Sequence, residues 1–237
     1  MNSKFDLYAQ KYQSIIDNSL GVFGQKHDFF VKEKVGVLIE SFKEVGNIKK
    51  LNVLDVGCGI GLYHGGVSKA VNALYGVDVS QESLDIAILN NPEVSYETYD
   101  GIKLPFPDSM FDCVYAICVL HHVPKERWQK FISEMNRVVR PGGQLLVIEH
   151  NPINPATQWI VRSCELDDDA VLLLPWRLNQ LFKRVGIEML KVRYTLFTPF
   201  SHKFFRKVDN LLCRIPFGAQ YLVKGRKSYE QKVKWGN

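Results

Sequence analysis

The chain has 237 residues, 46% hydrophobic and 23% charged, a balance that gives ample material for a buried core and excludes a disordered or fibrous chain. Thirty basic against 25 acidic residues leave a modest net charge of +5, and only one region interleaves lysine and arginine with aromatics, so no nucleic-acid partner is expected. Five cysteines in no C-x-x-C pair argue against a structural zinc and for a reducing, cytoplasmic setting. No apolar run approaches membrane-spanning length, and M-N-S-K-F-D-L-Y does not read as a signal peptide.

Residues 1–47 read as mainly helical. Strands are expected near 51–56, 73–78, 94–98, 111–117 and 143–150, separated by helices at 62–71, 81–90 and 125–138. Pro175 to Val185 reads as a further helix, Ile187 to Leu196 as a strand and Ala219 to Lys224 as the last strand. This alternation predicts a mostly parallel α/β sheet wound by right-handed crossovers, with the site at the carboxyl ends of the strands. Residues 1–50 are read as a helical cap, and 51–237 as the main domain with a helical insertion near 198–217.

The stretch V-L-D-V-G-C-G-I-G (Val53 to Gly61) is an apolar strand running into a glycine turn, where backbone N–H groups can approach a ligand closely. Asp78 ends the next apolar run, Ala73 to Val79, placed to accept both hydroxyls of a ribose. Together they describe a pocket for a nucleoside-containing cofactor. The glycines fall as G-x-G-x-G (Gly57, Gly59, Gly61), and Leu62 stands where a dinucleotide fingerprint would place its third glycine. Asp55 adds a carboxylate that suits a positively charged ligand better than a pyrophosphate.

In these motifs the chain resembles the class I S-adenosylmethionine (SAM)-dependent methyltransferases of the type 11 kind. D-V-G-C-G-I-G (Asp55 to Gly61) and G-V-D-V-S (Gly76 to Ser80) resemble the first two motifs of that family. D-G-I-K-L-P-F-P-D-S-M-F-D (Asp100 to Asp112), V-L-H-H-V (Val119 to Val123) and R-V-V-R-P-G-G (Arg137 to Gly143) follow in the same order. The resemblance implies a Rossmann-like, mostly parallel seven-stranded sheet with one antiparallel strand and helices on both faces. It implies SAM as cofactor and S-adenosylhomocysteine as product. Gly57, Cys58, Gly59 and Gly61 would hold the methionine part beside Asp55, and Asp78 the ribose. Val79 would plate one adenine face, while Asp100 and Gly101 would read the adenine edge. Ile117 and Cys118 would line the pocket under the sulfonium, with His122 close by. Tyr12, on a segment that folds over the cofactor in similar enzymes, would touch it; a helix docked on the domain is the alternative there.

Methyl transfer to oxygen or nitrogen gains from a positioned base. His150, Glu149 and His121 are the candidates, with His150 preferred because strand alternation turns Glu149 and His150 to opposite sides. No metal is expected, since these histidines lack ligand spacing and number. Asp167, Asp168 and Asp169 read as a solvated loop, with repulsion of acidic acceptors or binding of a sugar or amine as the alternatives. Thr198 to Phe217 carries an apolar helical face with basic flanks, fitting weak membrane-surface association or packing on the domain. The tail, including E-H-N-P-I-N-P (Glu149 to Pro155), resembles a bacterial subgroup that accompanies surface-glycan and glycolipid genes. The reading is methyl transfer to a small-molecule, sugar or lipid-linked acceptor. Alternatives are quinone-type ring methylation, a non-catalytic SAM-binding protein and, in another class, an NAD-dependent oxidoreductase.

Overall fold

A computed structural model describes Asp6 and residues 27–198 and 203–229, without the side chains of 27–28 and 203–206. Seven strands form one sheet: β1 (Asn52–Val56), β2 (Ala73–Asp78), β3 (Ser95–Thr98), β4 (Phe111–Ile117), β5 (Val139–His150), β6 (Ile187–Thr195) and β7 (Gln220–Lys227). Their order is β3-β2-β1-β4-β5-β7-β6. The pairs from β3 through to β5 are parallel, and β7 runs antiparallel between β5 and β6. The strand order reverses direction at β1 and β4, and a ligand crevice opens at such a switch point.

Seven α-helices accompany the sheet among the described residues: α1 (His27–Lys43), α2 (His64–Val67), α3 (Gln81–Asn90), α4 (Trp128–Val138), α5 (Pro155–Ser163), α6 (Pro175–Arg184) and α7 (Lys203–Leu212). One sheet face carries Leu38 and Phe42 of α1 and Val67 of α2 against Val53, Tyr115 and Leu146. The other carries Phe131, Ile132 and Met135 of α4 with Leu178 and Phe182 of α6 against Leu54, Val114 and Val147. Apolar residues on both faces make the central strands near-continuous hydrophobic runs, as buried parallel strands require.

Local chemistry sets several boundaries. Ser80 caps α3 by accepting the Ser83 N–H, and Asn154 caps α5 by accepting the Thr157 N–H ahead of Pro155 in the first turn. The helix expected at 62–71 shrinks to the single turn of α2. Gly65 and Gly66 break it, and a Cβ on Gly66 would stand 2.9 Å from a Val35 methyl, so α1 takes the space. β5 starts earlier than expected, at Val139, because Val139 pairs with Phe111 before a bulge leads into the regular register. β7 runs on to Lys227, whose buried ammonium donates to the Asn136 and Val139 carbonyls at 2.7 Å each. Two of the last carbonyls around α4 are thereby satisfied.

Candidate functional site

The glycine turn after β1 is stitched to β2: the Gly57 and Cys58 N–H groups donate to the Val77 carbonyl at 2.8 and 3.0 Å. Gly57 has φ +77°, and a Cβ there would fall 2.6 Å from both Val119 methyls. Gly59, at φ +52°, donates its N–H to Asp78 Oδ2 at 2.8 Å. The other Asp78 oxygen accepts the Ser80 N–H at 3.0 Å. Asp78 is 7% exposed, and burial raises its pKa against the backbone donors that oppose the rise. Gly61 does not border the cavity; it packs on Tyr96, Asn91 and Ala87 and holds the turn's far end.

Asp55 reaches the cavity from the end of β1. Its Oδ2 lies 3.0 Å from His64 Nε2, and His64 Nδ1 lies 2.7 Å from the Tyr96 hydroxyl. Its buried Oδ1 has no hydrogen-bond partner. Burial raises the Asp55 pKa, with His64 opposing.

Val79, Asp100 and Gly101 line the cavity. Asp100 Oδ1 accepts the Ile102 and Lys103 N–H groups at 2.8 and 2.9 Å, which lowers its pKa and leaves Oδ2 for a ligand. Behind this turn, the Arg137 guanidinium donates to the Leu104 and Phe106 carbonyls and to Asp108 and Glu134. The segment is therefore tied to α4.

Ile117 and Cys118 border the cavity as well. Cys118 is left-handed at φ +56°, turning its thiol toward Lys34 of α1, whose Nζ is 3.8 Å away and 3.1 Å from the Tyr63 hydroxyl. Burial alone would push the Cys118 thiol up, but Lys34 and His150 outweigh it and bring it down to about 7. Burial opposes the Lys34 charge, yet the thiol and Tyr63 raise its pKa. Lys34, Tyr63 and Gln220 were not foreseen as site residues. Lys34 left one sequence signal: it sits four residues from both Phe30 and Leu38, a cation on an apolar helical stripe.

His150 lines the cavity with Nδ1 3.5 Å from Gln220 Nε2. Glu149 does not line it. Its Oε1 accepts the Val119 and Leu120 N–H groups at 3.2 and 2.8 Å, and Oε2 lies 2.5 Å from His121 Nδ1. Strand alternation thus separates Glu149 from His150 as expected and makes Glu149 a positioning residue. His121 and His122 do border the cavity, on a 3₁₀ turn spanning Leu120–His122. Asp167 is not in a solvated loop. The 3₁₀ turn Glu165–Asp167 is anchored by buried Leu166, and it brings Asp167 into the cavity wall at 12% exposure. There its Oδ1 lies 3.4 Å from His121 Nε2 and 3.3 Å from His122 Nε2. Burial would raise the Asp167 pKa, and the two histidines lower it far more. Tyr12 lies outside the described residues.

These residues surround one cavity of about 570 Å³. Its glycine turn has no room for a side chain at Gly57, two buried carboxylates flank it, and an ammonium enters from α1. SAM fits this set: Asp78 for the ribose, the unpartnered Asp55 oxygen for an ammonium, and Lys34 for a carboxylate. A pyrophosphate would meet Asp55 and Asp78 as like charges.

Comparison with known proteins agrees. Residues 54–147 match the model of a methyltransferase domain family, a segment running from β1 to the middle of β5. The methyltransferase GfsG of Streptomyces halstedii is 29% identical over 151 residues, covering 59% of this chain and 54% of that protein. The ajmaline N-methyltransferase of Rauvolfia serpentina is 36% identical over 121 residues, covering 46% of this chain and 40% of that protein. The chain thus spans about half or less of the length of these two relatives. A Haloferax volcanii methyltransferase, solved in complex with the Trm112 activator, superposes with a TM-score of 0.69 at 16% identity, over 97% of this chain and 100% of that one. The sheet has the mostly parallel seven-stranded fold of class I methyltransferases, and the segment from β1 to β5 is similar to a methyltransferase domain. Among the described residues, no helix is long and apolar enough to cross a membrane.

Proposed function

We propose that this chain binds SAM and transfers its methyl group to a small-molecule, sugar or lipid-linked acceptor. One observation carries the reading: Asp78, buried and oriented by the Gly59 and Ser80 N–H groups, faces the same cavity as His150, Cys118 and Gln220. A cofactor wall and a polar acceptor wall therefore share a single enclosure. SAM, when bound, supplies a methyl already activated by adjacent positive sulfur. The chain's own part is to hold the acceptor in line and exclude water, worth effective molarities on the order of 10⁵ M or more. His150 is assigned as the base that takes the acceptor proton, contributing about 10²–10⁴-fold.

The acceptor wall comes from α1, the β5–α5 link, α5 and residues 196–198 and 219–220, outside the matched segment. It mixes apolar Phe30, Val31, Ile160, Leu196 and Phe197 with polar Asn154, Thr157 and Thr198. That mixture suits an acceptor with an apolar body and a hydroxyl. Trp159, Leu211, Ile215 and Phe217 are exposed around α5 and α7, and Asn154 Nδ2 donates to the Phe217 carbonyl. Such apolar side chains support weak contact with a lipid surface bearing the acceptor.

Parallel calorimetric titrations with S-adenosylhomocysteine and NADH test the cofactor, and mass spectrometry of acceptor mixtures incubated with SAM tests the transfer. Binding of the adenosyl-sulfur ligand alone, with a 14-dalton gain (one CH₂) on a hydroxylated acceptor, is expected (about 14, the mass change of methylation). His150→Ala should slow transfer without weakening S-adenosylhomocysteine binding. NADH binding alone overturns the reading.

A further inference from the structure

The residues after β4 form a cluster that methyl transfer by a lone base does not use. His121 is 1% exposed, and its Nδ1 is held 2.5 Å from Glu149 Oε2, itself fixed by the Val119 and Leu120 N–H groups. A carboxylate at Nδ1 fixes that nitrogen as a donor and turns Nε2 toward Asp167, so that a metal would take the place of the Nε2 proton between them. His121 Nε2 is buried without a hydrogen-bond partner, although Asp167 Oδ1 is only 3.4 Å away. His122 repeats the arrangement: its Nδ1 lies 3.3 Å from Asp169 Oδ1, and its Nε2 lies 3.3 Å from the same Asp167 oxygen.

We propose that His121, His122 and Asp167 form a site for a divalent transition metal, with zinc(II) as the reference ion, in the wall of the acceptor cavity. The three donor atoms lie within 4.8 Å of one another. The two nitrogen–oxygen separations, 3.4 and 3.3 Å, match the edge of a ligand tetrahedron, ~3.3 Å for bonds of ~2.0–2.1 Å. Two imidazoles and one carboxylate select zinc, iron(II), cobalt(II) or manganese(II) over magnesium and calcium, which prefer oxygen ligands throughout. Glu149 and Asp169 are the outer carboxylates that orient metal-bound histidines and strengthen them as ligands. Three protein ligands leave a coordination position open, the arrangement of a catalytic site rather than a structural one.

All three ligands border the cavity that holds His150, whose ring centroid is 5.1 Å from that of His121. An acceptor oxygen is the natural occupant of the open position. This consequence rests on the methyl-transfer reading and narrows the acceptor to an oxygen donor. Metal binding itself does not depend on that reading. Sequence spacing hid the site because its third ligand arrives from a separate 3₁₀ turn after α5.

The test uses the untagged chain, stripped with a chelator and dialysed. Zinc is added, bound metal is counted by plasma mass spectrometry, and cobalt(II) binding is followed by visible absorption. One zinc per chain is expected, with cobalt giving the intense absorption of a low-coordinate site. Glu149→Gln should weaken zinc binding about 10–100-fold, and His122→Ala or Asp167→Asn by at least as much. Circular dichroism and S-adenosylhomocysteine binding check that each variant is folded. No stoichiometric binding of zinc, cobalt or manganese overturns the proposal, as does binding unchanged in both His122→Ala and Asp167→Asn. Zinc binding without S-adenosylhomocysteine binding keeps the metal site and removes the methyl-transfer reading, while the converse does the opposite.

Discussion

Replacing Asp78 by alanine separates two roles that one carboxylate fills. Each Asp78 oxygen accepts one backbone N–H, from Gly59 at 2.8 Å and from Ser80 at 3.0 Å. An ionised carboxylate offers about four lone-pair directions, so one on each oxygen remains for a ribose hydroxyl. A hydrogen bond to a charged acceptor is worth about 1.5–3 kcal/mol. Two of them at the low end give about 3 kcal/mol, or roughly 150-fold in affinity. The alanine also strands the two N–H donors, at about 1–3 kcal/mol of stability each if water does not reach them. Calorimetry with 5′-methylthioadenosine and with its 2′,3′-dideoxy counterpart isolates the first role. The native chain should strongly prefer the ribose form, and Asp78→Ala should bind the two alike, at temperatures where circular dichroism shows it folded. A folded variant that still prefers the ribose form by the native ratio would refute the assignment.

Gly57→Ala places a methyl at φ +77° and 2.6 Å from both Val119 methyls. Left-handed strain of about 1–2 kcal/mol and overpacking of about 1–3 kcal/mol should lower the denaturant midpoint. Adding Val119→Ala should restore the packing part; an unchanged midpoint in Gly57→Ala would show that the turn is not tightly packed. Cys118 should be alkylated with a rate that rises through about pH 7, because the thiol titrates there rather than at 9.0. The sign follows from the lowered pKa: thiolate persists down to about 7 and is lost below it. In Lys34→Met the rise should move to higher pH, read by mass spectrometry of the Cys118 peptide; an unmoved profile would remove Lys34 as the cause. Cys58 and Cys113 should stay unreactive throughout, since burial raises both.

What could be read from sequence was whatever neighbouring residues encode together. Gly57, Gly59 and Asp78 were legible because a strand, a turn and the next strand tip fix their relation within a short span. The strand alternation likewise foretold that Glu149 and His150 would part. Lys34 and Gln220 were not legible as site residues, nor was the meeting of Asp167 with His121 and His122, since each depends on tertiary packing across long separations. The helix at 62–71 failed for a related reason: tight contact between Gly66 and Val35 is a fact about α1, which local propensity cannot contain.

The antiparallel strand β7 has a consequence for how the molecule is made. It delivers its first residue, Gln220, to the cavity, whereas β2, β4 and β5 deliver their last ones and β1 its next-to-last, Asp55. Asn151 donates its N–H to the Ala219 carbonyl and its side-chain amide to the Pro216 and Gly218 carbonyls, and Thr157 donates to Ala219. On a translating ribosome, β5 therefore waits with an open edge until residues beyond 219 have emerged. The nucleoside wall can be complete long before then. Closure of the acceptor wall at Ala219 and Gln220 is the late event, and it comes with the strand that joins β6 to the sheet.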